Sequence, residues 1–229
     1  MKRIAFIICL LVSMTLNISA QTILKSIMSD FQNKTLTDGV FLEYNMKLSD
    51  IQGSPYLDDQ FSPGTVVSTD GSVYNDLPLR YNGYSDDLEF KKGNKTYNIQ
   101  PKTRVKRAEF GGKIFSCLPF EDAGKTNNGY FEIKVEGKAS FLIRYSVKFF
   151  EKEQVKPFAD PKPARFEGKE KSYYVTIDGN VAKQILNKKG LIGLFGQKKD
   201  EMESYISKNK LSIREDESLS KIISYYNNL

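Results

Sequence analysis

The stretch DLPLRYNGYSDD, at residues 76–87, brings an arginine, aromatic rings and two adjacent carboxylates close together in the chain. These residue types could form a small binding site, because a guanidinium binds carboxylates and stacks on aromatic rings. They could also do acid–base chemistry, which requires two carboxyl groups that face each other across a cleft. The candidate binding residues are Arg80, Tyr84, Asp86 and Asp87.

The same stretch also has the pattern of a strand, a turn and a second strand. Leu77, Leu79 and Tyr81 alternate with polar residues, which predicts that they face the core while Arg80 lies on the opposite face. The Asn-Gly dipeptide at residues 82–83 is typical of a chain reversal. Adjacent strand residues point to opposite faces, so the two acids make a poor catalytic pair, and we expect them to lie exposed in or beside the turn.

The composition excludes several kinds of chemistry. The chain contains no histidine, which rules out an imidazole base and a histidine-ligated metal site. Cys117 is the only cysteine after the first twenty residues, so we expect neither an intramolecular disulfide nor a thiolate metal cluster. Asp70 and Asp76 lie near a glycine but lack the ligand spacing of a calcium loop. We therefore predict no catalytic residue, no metal site and no cofactor.

The first twenty residues have the pattern of an export signal. Lys2 and Arg3 precede an apolar run, and the small residue Ala20 marks a cleavage point. The run is about half the length that spans a bilayer, so we expect it to be cleaved rather than to anchor the protein. No cysteine stands at the junction to carry a lipid. These features predict a soluble exported protein, periplasmic or extracellular, that is not a lipoprotein.

The charge pattern argues against a nucleic-acid partner. The formal net charge is +6, from 34 Lys and Arg and 28 Asp and Glu, and the two signs are interleaved along the chain. Nucleic-acid binders usually concentrate Lys and Arg on one face. With 40% hydrophobic residues the chain can form a core. The oligomeric state does not follow from the sequence.

Hydrophobic periodicity predicts an α+β fold. Between residues 40 and 177, short runs alternate apolar and polar residues and are joined by short turns, which favours a curved antiparallel sheet with one face in solvent. We expect a meander, half-barrel or sandwich-like arrangement, with a short helix at 22–33 before it. Amphipathic patterns at 199–210 and 215–228 predict a helical C-terminal segment. The predicted units are a signal peptide at 1–20, a β domain at 21–180 and a helical segment, packed on the sheet, at 181–229.

The segment KKGLIGLFGQKK, at residues 188–199, has two interpretations. Its apolar centre between basic ends could touch an anionic membrane surface through Lys188, Lys189, Lys198 and Lys199. The alternative, which we favour because the segment is short, is that its apolar residues pack on the sheet. Gly196 would then end the helix.

Two stretches together resemble a known family. Residues 53–99, which begin GSPYLDDQF, and the ending NKKGLIGLFGQKKDEMESYISKNKLSIREDESLSKIISYYNNL are similar to uncharacterised exported proteins of Bacteroidota with a β-rich body and a helical tail. The resemblance implies a Gram-negative envelope or secreted setting and an antiparallel sheet followed by helices. It implies no activity and assigns no residue roles.

These observations favour a non-catalytic exported envelope protein that binds an unidentified ligand or protein partner through its sheet. One alternative is a hydrolase or lyase that uses distant carboxylates together with a tyrosine, so the sequence leans against an enzyme without excluding one. Another alternative is an assembly factor associated with the outer membrane through the basic segment at 188–199.

Overall fold

The computed structural model describes residues 34–35, 40–41, 46–153 and 162–229. The predicted export signal and the predicted helix at 22–33 lie outside the described residues. Residues 42–45 of the first predicted strand, at residues 40–49, lie outside them as well. The described parts of that strand are Val40–Phe41 and Met46–Lys47, followed by a 3-10 turn at Leu48–Asp50.

Most of the described strands pair in antiparallel fashion with the strand that precedes or follows them in the sequence. They are β1 (Lys34–Thr35), β2 (Val40–Phe41), β3 (Met46–Lys47), β4 (Ser62–Ser68), β5 (Val73–Asn82), β6 (Asp87–Lys92), β7 (Lys95–Asn98), β8 (Val105–Phe110), β9 (Lys113–Asp122), β10 (Lys125–Val135), β11 (Ala139–Phe150), β12 (Arg165–Ile177) and β13 (Lys183–Gln184). Within the described chain, β2 and β3 pair with each other and the remaining strands form one 11-stranded sheet.

The sheet is a curled half-barrel, which confirms the predicted fold class. Its order is β1-β7-β6-β5-β4-β8-β9-β10-β11-β12-β13. The order departs from a simple meander at two places: β1 pairs with the outer edge of β7, and β8 returns to pair with the free edge of β4 instead of continuing beyond β7. The return of β8 places β5 and β9 on either side of β4 and β8.

Three helices follow the sheet, as the sequence predicts: α1 (Lys188–Leu194), α2 (Lys199–Lys208) and α3 (Asp216–Asn227). Asn187 caps α1, because its side-chain oxygen accepts a hydrogen bond from the N–H of Gly190 at 2.8 Å. In α3 the buried residues recur at helical spacing and join the main core. No helix among the described residues is long and apolar enough to cross a bilayer.

The sheet has an apolar core on each face, so the expectation that one face meets solvent is wrong for much of its area. Along β10, Tyr130 faces the larger core beneath the helices, whereas Phe131 faces a smaller aromatic core on the other side. After β12 the chain covers this smaller core, and the N–H of Ala182 donates to the carbonyl of Pro119 at 2.9 Å. Consecutive residues are therefore buried on opposite faces.

Asp216 ties the start of α3 to β12. Its carboxylate accepts hydrogen bonds from Lys171 Nζ and from the hydroxyl of Tyr173, each at 2.7 Å. Partial burial opposes ionisation, but these two bonds outweigh it and lower the pKa of Asp216 below its usual value. The lowered pKa means that the folded state favours the ionised form.

We expect Asp216→Asn to reduce the free energy of unfolding by about 1 kcal/mol at pH 7, because it removes a charge from a helix N-terminus and from Lys171. A lowered carboxyl pKa stabilises the fold above the unfolded-state pKa and ceases to do so as the pH falls through the folded-state pKa. Urea unfolding at pH 7 and near pH 3 should therefore show the difference from wild type shrinking with acidity. Glu217→Gln, in the same turn but exposed, is the control. An equal loss in both variants would contradict a specific role for Asp216.

Candidate functional site

Residues 51–61, here called the strap, connect two distant parts of the sheet. The N–H of Phe166, in β12, donates to the carbonyl of Gln52 at 2.8 Å, and the N–H of Gly83 donates to the carbonyl of Pro55 at 2.8 Å. The N–H of Leu57 reaches the carbonyl of Tyr81, in β5, at 3.1 Å. The strap therefore bridges β12 and β5, with β4, β8, β9, β10 and β11 between them in the sheet.

Gly53 allows the strap to lie close to β12. Its φ of +74° belongs to the left-handed region that favours glycine. A Cβ atom at this position would be 2.3 Å from the carbonyl oxygen of Phe166. Any other residue here would therefore force the strap away from the sheet.

Arg80 fixes the second half of the strap. Its guanidinium carbon lies 3.4 Å from the ring centroid of Tyr56 and 4.2 Å from that of Phe61. Both rings therefore pack against the guanidinium. Nη1 also donates to the carbonyl of Asp59 at 3.2 Å. Stacking and hydrogen bonding together hold the strap on the outer face of β5.

Glu89, on the neighbouring strand β6, is the counter-ion of Arg80. Arg80 donates to its Oε2 from Nη2 at 2.7 Å and from Nε at 3.2 Å, and Asn82 donates to Oε1 at 3.1 Å. Glu89 is fully buried. Burial raises the pKa of its carboxyl, and Arg80 opposes this shift. The alternation of β6 predicts a solvent-facing Glu89, which is wrong because the strap covers this face.

The prediction that Asp86 is a solvated turn residue is also wrong. Its Oδ1 accepts hydrogen bonds from the hydroxyl of Tyr81 at 2.9 Å and from the N–H of Tyr130 at 3.1 Å. Lys102 and Arg144 lie 3.5 and 3.6 Å from Oδ2, and the side chain is only 13% exposed. The turn at 83–86 enters the gap where β10 and β11 stop pairing, which is why the acid is enclosed.

Asp87 is likewise buried rather than solvated. Its carboxylate accepts hydrogen bonds from the side chains of Gln100 at 2.8 Å and Asn98 at 3.2 Å. Lys102 lies 3.7 Å from its Oδ1. The side chains of both acids therefore help to anchor the turn and the segment after β7, instead of facing water.

The four candidate residues do not form one site. Arg80 belongs to the strap contact, and Asp86 and Asp87 belong to the contacts of the turn. Tyr84 packs in a third cluster, where its ring centroid is 5.5 Å from that of Phe166. These four residues are close in the sequence, but their side chains lie in three different surroundings.

A cleft of about 170 Å³, here called the strap cleft, opens between the strap and the β8–β9 hairpin. The rings of Tyr81 and Phe115 stack at 5.2 Å, and those of Phe115 and Phe110 stack at 5.1 Å. Together they form an aromatic wall, of which Tyr81 and Phe115 are buried in the core and Phe110 is partly exposed at the cleft. Two cations also line the cleft, Arg80 from β5 and Lys113 from β9. The alternation of β9 predicts the inward side chain of Phe115, but no signal in the sequence brings the strap over it.

Lys113 also connects the cleft to a buried polar pair. Its Nζ lies 3.9 Å from Glu132 Oε1, and Lys134 lies 3.2 Å from the same oxygen. The hydroxyl of Tyr145 donates to Oε2 of Glu132. Burial, together with this hydrogen bond, raises the pKa of Tyr145 far above its usual value, so the phenol stays protonated.

A second cleft, of about 410 Å³, lies on the other side of the strap against β12. Asp59 and Glu167 both line it, which brings together carboxylates that are distant in sequence. Each already has a partner, because Asp59 accepts from the hydroxyl of Ser54 and Glu167 from Nε of Arg165. The strap thus lies between two clefts, and the apolar side chains of Val147 and Phe166 line the larger of the two together with these acids.

The basic segment at 188–199 presents its charges to solvent without an apolar tip. Its buried residues include Leu191, Ile192 and Phe195, which confirms that the apolar centre packs inward. The four candidate membrane-contact residues, Lys188, Lys189, Lys198 and Lys199, are all exposed. Two of them have partners within the helical segment: Lys188 donates to Ser207 and Lys198 pairs with Glu201.

The described residues offer no group of three or more acidic or cysteine side chains placed to hold a metal ion. Burial raises the pKa of the Cys117 thiol to about 11, which keeps it protonated and unreactive at neutral pH. Comparison of the chain with protein-family models, curated proteins and solved structures found no match.

We expect Arg80→Lys to loosen the strap while leaving the fold intact. Lysine keeps the charge but cannot lie flat against two rings and donate from three nitrogens. The loss of stacking corresponds to about 1 kcal/mol or more, so amide hydrogen exchange at Leu57 and Gly83 should accelerate about tenfold. Arg107→Lys, in an exposed ion pair, is the control. Unchanged exchange at both amides would contradict the role assigned to Arg80.

We expect Asp86→Asn to lower the free energy of unfolding by about 2 kcal/mol, because Lys102 and Arg144 lose a largely buried counter-ion. Asparagine tolerates the φ of +54° at this position, so the substitution isolates the charge from the backbone. Asp76→Asn is a matched control, since Asp76 has a φ of +56° and is exposed. Urea unfolding measures both. A loss no larger than that of the control would show that the turn does not need the charge.

Proposed function

We propose that the protein is a non-catalytic, exported binding protein of the cell envelope and that the strap cleft is its ligand site. The observation that carries this proposal is a cleft with an aromatic wall and two cations, enclosed by a strap that Arg80 holds in place. Concave sites with apolar walls and a few placed polar groups are typical of small-molecule binding. The export pattern of the first twenty residues supports the envelope setting.

Contacts within the protein fix the position of Arg80 in the cleft. Arg80 is held by Glu89 and by the rings of Tyr56 and Phe61, so its guanidinium has little freedom left to lose. Binding to such a rigid group carries a smaller entropic cost than binding to a mobile side chain. A fixed cation beside an aromatic wall therefore favours a role for Arg80 in ligand recognition, in addition to its structural role in the strap.

The volume of the cleft limits the ligand. Cavities that hold drug-sized molecules are about 300–1,000 Å³, whereas an apolar cavity of about 150 Å³ in another protein accepts benzene. The strap cleft, at about 170 Å³, fits one ring with a small substituent. The ligand, or the part of it that enters, is therefore no larger than this.

Glu132 and Tyr145 are the carboxylate–tyrosine pair that a hydrolase or lyase would need, and Lys113 connects them to the cleft. Tyr145 is only 7% exposed, and both carboxylate oxygens of Glu132 already have partners. A substrate could not reach the pair without displacing these contacts. We therefore do not extend the proposal to catalysis. A membrane-associated role is also weaker, because the apolar residues at 188–199 are buried.

The proposal is tested by native mass spectrometry of the protein purified from its own host. We expect a retained small molecule in the wild type and its loss in Ser62→Trp, because Ser62 lines the cleft and an indole would fill it. Ser49→Trp, in the exposed turn before the strap, should keep the ligand.

The two tryptophan variants also report their own folding, since the chain contains no other Trp. Circular dichroism and indole fluorescence should show native structure in both. A wild-type protein that carries no ligand would overturn the proposal, and so would a ligand that Ser62→Trp retains as well as Ser49→Trp does.

A further inference from the structure

The hydrogen bonds of Arg80 leave two donors of its guanidinium for a ligand. A guanidinium carries five N–H donors. Three are used: Nε and one Nη2 proton by Glu89, and one Nη1 proton by the carbonyl of Asp59. One donor on Nη1 and one on Nη2 therefore remain for a ligand. A carboxylate accepts charge-assisted hydrogen bonds from guanidinium donors of this kind.

Lys113 supplies a second cation from the other side of the cleft. Its side chain is 38% exposed, and its distance of 3.9 Å from Glu132 is at the outer limit of an ion pair. A long contact of this kind leaves the ammonium free to turn toward a ligand, because a lysine carries three rotatable donors. The cleft thus has a fixed cation on one side and an adjustable cation on the other.

One acid, Asp58, also lines the cleft. Its Oδ1 accepts the N–H of Gln60 at 3.0 Å, which turns the carboxylate back toward the strap. The counter-ion of Arg80, Glu89, is buried on the β6 side and is not among the residues that line the cleft. The groups that face the cleft are therefore two cations and one acid that is already hydrogen bonded.

Phe110 provides the apolar surface on which a ring can rest. It is half-buried, and its ring stacks on Phe115, so part of it remains open to the cleft. Aromatic rings pair in offset-stacked or edge-to-face geometry with centroids about 4.5–7 Å apart. A flat ring entering the cleft would therefore meet an aromatic surface between the two cations.

We infer that the ligand of the strap cleft is a small organic acid, a single flat ring that carries a carboxylate. The carboxylate is bound between the remaining donors of Arg80 and Lys113, and the ring lies against Phe110. This inference rests on the proposed function and adds the chemical class of the ligand.

The test compares three probes of nearly equal shape, 3-phenylpropionate, 3-phenylpropanol and 3-phenylpropylamine. Titrations of the full chain, followed by ¹H–¹⁵N NMR, should show that 3-phenylpropionate binds at least tenfold more tightly than the alcohol and that the amine binds most weakly. Lys113→Met should weaken binding of the acid about tenfold and leave the alcohol unchanged. Lys125→Met, at the exposed far end of β10, should change neither.

Two results would overturn the inference without affecting the proposed function. One is equal binding of the acid and the alcohol, with shifts at the cleft that Ser62→Trp abolishes. The other is no binding of any probe by a protein that still retains a native ligand in a Ser62→Trp-sensitive manner. If neither probes nor a native ligand bind, both the inference and the proposed function are wrong.

Discussion

The carboxylate of Asp86 sits where β10 and β11 stop pairing, and there it binds the N–H of Tyr130 that the ladder leaves free. On the other side of the same turn, the N–H of Val147 donates to the carbonyl of Gly83 at 3.1 Å. The turn thus replaces a missing strand contact and holds β5 against the far part of the sheet. The same turn also supports the strap, because the N–H of Gly83 donates to the carbonyl of Pro55 at 2.8 Å.

The contacts of the turn and of the strap bury charged side chains. Glu89 and Asp86 are both removed from water, and each is offset by cations and hydrogen-bond donors from other strands. Buried ion pairs add little net stability, but removal of one partner costs several kcal/mol. Such groups therefore select one arrangement of the chain over its alternatives. In this protein they fix where the strap crosses β5 and how the turn enters the gap.

The sequence predicts the parts of the fold that depend on local periodicity. The alternation around Leu79 and the helical spacing in α3 both give the correct element and the correct buried face. The environment of Asp86 could not be predicted, because it depends on a break between two strands that lie more than forty residues further along the chain. The burial of Glu89 could not be predicted for a related reason. Its place in the alternation of β6 is that of an exposed residue, and the strap is what covers it. Candidate residues grouped by sequence proximity therefore separate in space, whereas the cleft joins residues from four segments.

Backbone hydrogen bonds hold the first half of the strap, at residues 52, 55 and 57, and Arg80 contacts its second half, at residues 56, 59 and 61. The strap is ordered when the protein folds, so the free-energy cost of ordering it does not have to be met by ligand binding. A small cleft can then reach useful affinity with few contacts, since most of the reorganisation cost is already absent. In the proposed ligand site, selectivity would depend on charge and shape, because contacts within the protein hold both Arg80 and the aromatic wall in place. Lys113 differs from Arg80 in this respect, because its contact with Glu132 is long and its side chain is partly exposed.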